Sequence, residues 1–188
     1  MDQIMAATKI KDIGISTAIG DRQHQEGRYI VCKPGALSHT DYALFAVCDG
    51  HAGATASDHI SQHLPRHIDI GLNDASFDKS PEEVIQDAIR AEDDALRDLG
   101  CLSTGSTLAL ALVDTKKNVL TTADLGDSHI LLGQIERDGT HKTNRISRLS
   151  EAQKPHDREE RHRIQRAGGV INHGTAVDAH DRWGGRGA

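Results

Sequence analysis

An apolar run, Tyr42-Ala43-Leu44-Phe45-Ala46-Val47-Cys48, stops abruptly at Asp49-Gly50-His51-Ala52-Gly53. A strand end projects its last side chains from a rigid support, which is where sites are commonly built. Asp49 there can ligate a hard cation through oxygen, and a glycine lets its own carbonyl approach the same ion. The same five residues also read as a tight strand-to-helix turn in which Asp49 caps the following helix. Upstream, Arg22 and Glu26 read by themselves as a surface ion pair of little worth. His59, His63 and His67 fall at i, i+4 and i+8, one helix face, and invite a metal reading. Twelve histidines make such rows easy to find, and Pro65 interrupts this one.

Three further segments narrow the choice. Gly105-Ser106-Thr107 precedes Ala123-Asp124-Leu125-Gly126-Asp127-Ser128, and Lys154-Pro155, Glu160, Arg163-Ile164 and Gly168-Gly169 follow. With Phe45–Gly53 these resemble, in order, the FxVxDGHxG, GST…ANxGDSR and KPxxxxExxRIxxxGG blocks of the metal-dependent protein phosphatase 2C (PPM-type) family. Gly20, Arg22 and Glu26 are similar to that family's GxRxxxED entry motif. The resemblance implies an α+β fold, a four-layer α-β-β-α sandwich of antiparallel sheets. It implies hydrolysis of phosphoserine and phosphothreonine in proteins at a two-metal Mg²⁺ or Mn²⁺ centre that activates water for in-line attack on phosphorus. By motif position Asp49 would bridge the metals, the Gly50 carbonyl would ligate one, and Glu26 would hold a metal through water. Arg22 would clamp phosphate oxygens with its fork, and His51 would protonate the leaving oxygen. Asp127 matches an aspartate near an auxiliary metal, and also reads as an ordinary turn residue. Glu160 and Arg163 read as a solvated helix face.

The pattern departs from the family at four places. Gly27 stands where a second acid is usual, Asp124 replaces an asparagine, and His129 replaces an arginine. Beyond residue 171 the family's DGxxD and DN segments have no counterpart. The expectation is a partial, C-terminally shortened phosphatase domain over 1–171 and an irregular tail over 172–188. A domain that binds phosphoproteins without turnover is the alternative function.

Elements must position these residues. Alternation predicts a strand over 13–19, the short Tyr-Ile-Val-Cys run before Pro34-Gly35 one over 29–32, and the apolar run a strand over 42–48 buried on both faces. Helices are expected over 53–64, ending near Pro65, and from Ser80, where Ser80-Pro81-Glu82-Glu83 combines a capping box with proline at the first helical position. Strands follow over 106–113, 119–124 and 129–135, with a hairpin signal at Asp138-Gly139, and a helix over 158–167.

Composition excludes several classes. The net charge of −6 argues against a nucleic-acid partner. The few aromatics, Tyr29, Tyr42, Phe45, Phe77 and Trp183, provide no stacking platform. No apolar run is long enough to span a membrane, and Met1–Lys11 has no signal-peptide core. Cys32, Cys48 and Cys101 include no CxxC pair, so a reducing compartment, cytoplasmic or nuclear, is expected.

Overall fold

The apolar run becomes the second strand of a four-stranded antiparallel sheet in a computed structural model that describes residues 7–74, 79–101, 103–138, 141–172 and 175–177. In chain order the elements are β1 (Arg28–Cys32), β2 (Tyr42–Cys48), β3 (Gly50–His51), α1 (Thr55–Asn73), α2 (Pro81–Asp98), β4 (Gly105–Ser106), β5 (Leu108–Asp114) and β6 (Val119–Leu125). There follow β7 (Leu131–Asp138), β8 (His141–Arg148), α3 (Arg158–Arg166), β9 (Val170–Asn172) and β10 (Thr175–Val177). The main sheet runs β1-β2-β5-β6, and three two-stranded ladders pair β3 with β4, β7 with β8 and β9 with β10. The α+β class with antiparallel sheets therefore holds. Among the described residues no helix is long and apolar enough to cross a membrane.

Register decides which side chains enter the core. Leu44 lies opposite Leu112 and Cys32, and Ala46 opposite Leu110 and Ile30. Because side chains alternate across a strand, these residues share one face. There they form the core with Leu64 and Ile68 of α1 and Val84, Ile85 and Ala88 of α2. The N-terminus of α2 carries the full capping box: Ser80 Oγ accepts from the Glu83 N–H, and the Glu83 carboxylate accepts from the Ser80 N–H at 2.8 Å.

The second face of β2 corrects the expectation of burial on both sides. Val47 is 54% exposed and Tyr29 on β1 48% exposed, and they lie directly opposite each other. With Val31, Phe45, Ala109 and Ala111 they floor an open apolar depression rimmed by residues 13–17 and 129–131. A continuously apolar strand signals two apolar neighbours, and here helices cover only one side. The same depression explains 13–19, which forms no strand. Its apolar alternation fits a segment lying against the sheet, but a strand also needs a ladder partner.

Helix α1 runs through Pro65 to Asn73, beyond the expected stop. An interior proline costs about 3 kcal/mol in an isolated helix. Leu64 and Ile68, both fully buried, offset that at about 1.5–3 kcal/mol each. The histidine row is thereby kept on one face, and it serves the helix–helix contact. His59 Nδ1 is 2.8 Å from Glu92 Oε2, His63 stacks on His59 at 4.1 Å, and His67 Nε2 lies 3.5 Å from Glu92 Oε1. That last approach is within ion-pair range without hydrogen-bond geometry, so Oε1 of the buried Glu92 has no hydrogen-bond partner.

Burial and, secondarily, the Glu92 charge push the Cys48 thiol up to about 11 from 9.0. On the order of one Cys48 thiol in a thousand is then ionised at pH 8. A thiol reagent at pH 8 is expected to label half-buried Cys101 in the native chain and to reach Cys48 only after denaturant is added. Unfolding releases the Cys48 proton more readily, so this group lowers stability as pH rises from about 9 through 11.

Within the region 172–188, expected to be irregular, Asn172 ends β9 and Thr175–Val177 form β10, with Thr175 opposite Asn172. Residues 173–174 and 178–188 lie outside the described residues, as does Gly139 of the expected hairpin turn.

Candidate phosphate and cation site

Asp49 owes its position to Thr107. The Asp49 N–H donates to Thr107 Oγ1 at 3.2 Å, and the Asp49 carbonyl accepts from the Thr107 N–H at 2.9 Å. With its backbone tied on both sides, the Asp49 carboxylate projects into solvent. Thr107 Oγ1 also meets Ser128 Oγ at 2.6 Å, so the Gly-Ser-Thr and Gly-Asp-Ser segments touch through their hydroxyls. Gly126 has φ +86°, and a Cβ there would lie 2.8 Å from Thr107 Cγ2, so only glycine permits that approach. The segment before α3 completes the joint, for the Gln153 N–H donates to the Gly126 carbonyl and Gln153 Oε1 accepts from the Gly126 N–H.

Gly50 is packed from the other side. A Cβ on it would lie 2.5 Å from the Glu26 carbonyl oxygen and 2.7 Å from Ser57 Oγ. This close approach brings the Gln25–Gly27 segment onto the end of β2. Arg22, Glu26, Asp49 and Gly50 consequently line one small depression of about 200 Å³, with Ala18, Ile19 and His24–Gly27 completing its wall. Among the described residues the Arg22 guanidinium and the Glu26 and Asp49 carboxylates take no hydrogen-bond or ion-pair partner. The surface ion pair between Arg22 and Glu26 is therefore not formed. A cation and two carboxylates instead face a common space unpaired. The Glu26 and Asp49 carboxylates and the Gly50 carbonyl offer oxygens, the donor type a hard divalent ion takes. Among the described residues no three His, Cys, Asp or Glu side chains are grouped so as to hold a metal, and the depression itself contributes two carboxylates.

His51 is not brought into this depression. It lines a neighbouring cleft with Leu64, Glu92, Thr104 and Gly105, where its imidazole lies against Gly105. Asp127 is also outside, exposed, with Lys154 Nζ at 3.6 Å. Glu160 and Arg163 form a two-pronged pair at 2.7 and 2.6 Å within α3, and the guanidinium holds the Glu160 carboxyl below its usual range. They do not line the depression. Ser57 and Arg28, whose hydrogen bonds organise the Gln25–Gly27 segment, carry no motif signal. Their partners are fixed by the folded arrangement of β1 and α1, and only the placement of Ser57 in the first turn of α1 was open to local reading.

Residues 11–180 match the model of the family described as protein phosphatase 2C. The chain is 32% identical over 172 residues to protein phosphatase 1L of Bos taurus, covering 87% of this chain and 45% of that protein. It is 30% identical over 174 residues to the integrin-linked kinase-associated serine/threonine phosphatase 2C of Homo sapiens, covering 84% and 43%. The chain thus spans less than half the length of these relatives. Among solved structures it is similar to a C. elegans sex determining protein, with a TM-score of 0.68, 22% identity and coverage of 87% and 43%. It is also similar to a serine-threonine phosphatase 2C from Toxoplasma gondii, with a TM-score of 0.62, 23% identity and coverage of 84% and 56%. These likenesses carry the fold, and the matched family model carries the membership: this chain belongs to the protein phosphatase 2C family.

Proposed function

We propose that the depression at the end of β2 is the phosphate- and cation-facing part of a metal-dependent serine/threonine phosphatase acting on phosphoserine and phosphothreonine in proteins. The observation that carries this reading is the shared depression, in which Arg22, Glu26 and Asp49 are all unpaired among the described residues. Names of relatives such as the human serine/threonine phosphatase 2C support the substrate class.

In this reading Asp49, the Gly50 carbonyl and Glu26 would hold Mg²⁺ or Mn²⁺. Such a cation supplies Lewis-acid polarisation of a phosphoryl oxygen and a more acidic water. The chain's own residues do the rest. Arg22 orients the phosphate with paired N–H donors and offsets its charge. Thr107 keeps the Asp49 backbone from drifting as the side chain takes up its load. His51, exposed and next to Gly50, is assigned proton donation to the leaving oxygen, which requires its ring to turn away from Gly105. Asp127, beside Lys154, stands outside the proposed cation set.

The test is phosphate release from a phosphothreonine peptide with Mn²⁺ and with EDTA in its place. Release that needs Mn²⁺ is the expected result. Arg22→Lys, which keeps charge and loses the fork, is expected to raise KM about tenfold with Mn²⁺ affinity unchanged. Peptide binding without release favours the non-catalytic alternative.

A further inference from the structure

The Gln25–Gly27 segment precedes β1 and joins no ladder, yet each of its three carbonyls is held by a side chain. Arg28 Nη1 donates to the Gln25 and Gly27 carbonyls at 2.8 Å each. Ser57 Oγ donates to the carbonyl between them, that of Glu26. A hydroxyl has a single proton. The Ala54 carbonyl, 3.0 Å from the same Oγ, is thus a competing partner that the closer Glu26 carbonyl displaces. Ser57 is fully buried and sits in the first turn of α1. The next residue of that turn, Asp58, accepts from Arg28 Nε. The Arg28 and Asp58 side chains are 31% and 43% exposed, too wet for the ion pair to add much stability. Their contribution is geometric, since the planar guanidinium aligns with Asp58 along one edge and with two carbonyls through Nη1.

We propose that Ser57 and the Arg28–Asp58 pair are positioning residues. They clamp the Glu26 backbone against Gly50 and thereby set where the Glu26 carboxylate stands relative to Asp49. The proposal rests on reading the depression as a cation site and adds what holds that site in shape. Side chains around a metal site that orient its ligands typically change affinity roughly 10- to 100-fold when lost. The first turn of α1 thus acts as a platform for a loop 31 residues earlier in the chain. A glycine at 50 lets that loop sit down on it.

The test uses the full chain and two readouts: backbone ¹⁵N order parameters at 25–27, and Mn²⁺ affinity from water-proton relaxation. Ser57→Ala and Arg28→Lys are expected to lower the order parameters of Gln25, Glu26 and Gly27 from about 0.85 to below about 0.6, with Leu110 unchanged. Mn²⁺ affinity is expected to fall about tenfold. Asp58→Asn, which keeps an acceptor for Nε, should stay near wild type, whereas Asp58→Ala should follow Arg28→Lys. This rescue separates positioning from general loss of packing. Arg28→Lys and Asp58→Ala alter part-exposed side chains, so they report even if the buried Ser57→Ala chain does not fold. Order parameters that stay unchanged in the variants overturn the proposal, as does a loosened segment with unaltered Mn²⁺ affinity. A wild-type chain that binds no Mn²⁺ defeats the cation reading instead, and the order parameters alone then uphold or overturn the clamp.

Discussion

Asp49→Asn is expected to lower Mn²⁺ affinity by about 100-fold or more, with little change in thermal stability. The substitution keeps the size and the backbone ties to Thr107. It removes one of two carboxylates from a depression that has no other acid in its lining. A hard divalent ion needs charged oxygen to repay its dehydration, and an amide oxygen supplies none. Loss of outer-shell partners alone costs roughly 10- to 100-fold, so loss of the direct ligand proposed here takes that range as a floor. The exposed Asp49 side chain has no protein partner among the described residues. Its neutralisation therefore leaves no buried charge unpaired, and the fold is spared. Isothermal titration with Mn²⁺, paired with thermal melting, reads both halves of the expectation.

Gly50→Ala is the second large effect, and it acts through shape. The added Cβ meets the Glu26 carbonyl oxygen at 2.5 Å and Ser57 Oγ at 2.7 Å. One of these neighbours is backbone and the other a fully buried side chain, so neither swings aside cheaply. Overpacking of this kind costs about 1–3 kcal/mol, or about 2–4 °C of Tm per kcal/mol for a chain of this size. Relief comes from lifting the Gln25–Gly27 segment, which also separates Glu26 from Asp49. Stability and Mn²⁺ affinity should fall together. Gly27→Ala is the matched control: its nearest atoms, Gln25 Oε1 at 3.5 Å and the Cys48 carbonyl at 3.8 Å, are at ordinary contact distance. Its Tm should remain within about 2 °C of wild type.

What could be read from the sequence follows the range of the forces involved. The start of α2 was legible because its capping box is complete within Ser80–Glu83. A motif names Arg22, Glu26, Asp49 and Gly50, and these four residues line one depression. The expected end of α1 near Pro65 reflects a local effect, whereas the burial of Leu64 and Ile68 that carries the helix past it comes from distant strands. Residues 13–19 alternate like a strand, and alternation does not reveal whether a ladder partner exists. The apolar character of β2 marked both faces as core, while Val47 and Tyr29 show that one face is left open by the helices. Motif position assigns His51 a role beside Gly50. Pairing of β3 with β4 sets His51 opposite Gly105 and sends its ring to the adjoining cleft.

The central claim is that Asp49 and its neighbours make a cation-dependent phosphoester site. The most direct measurement is the rate of phosphate release from a phosphothreonine peptide at saturating Mn²⁺, compared between the wild-type chain and Asp49→Asn. The account predicts Mn²⁺-dependent release by the wild type and a loss of about 100-fold or more in the variant. Equal rates in the two chains, or release that persists undiminished in EDTA, would contradict it.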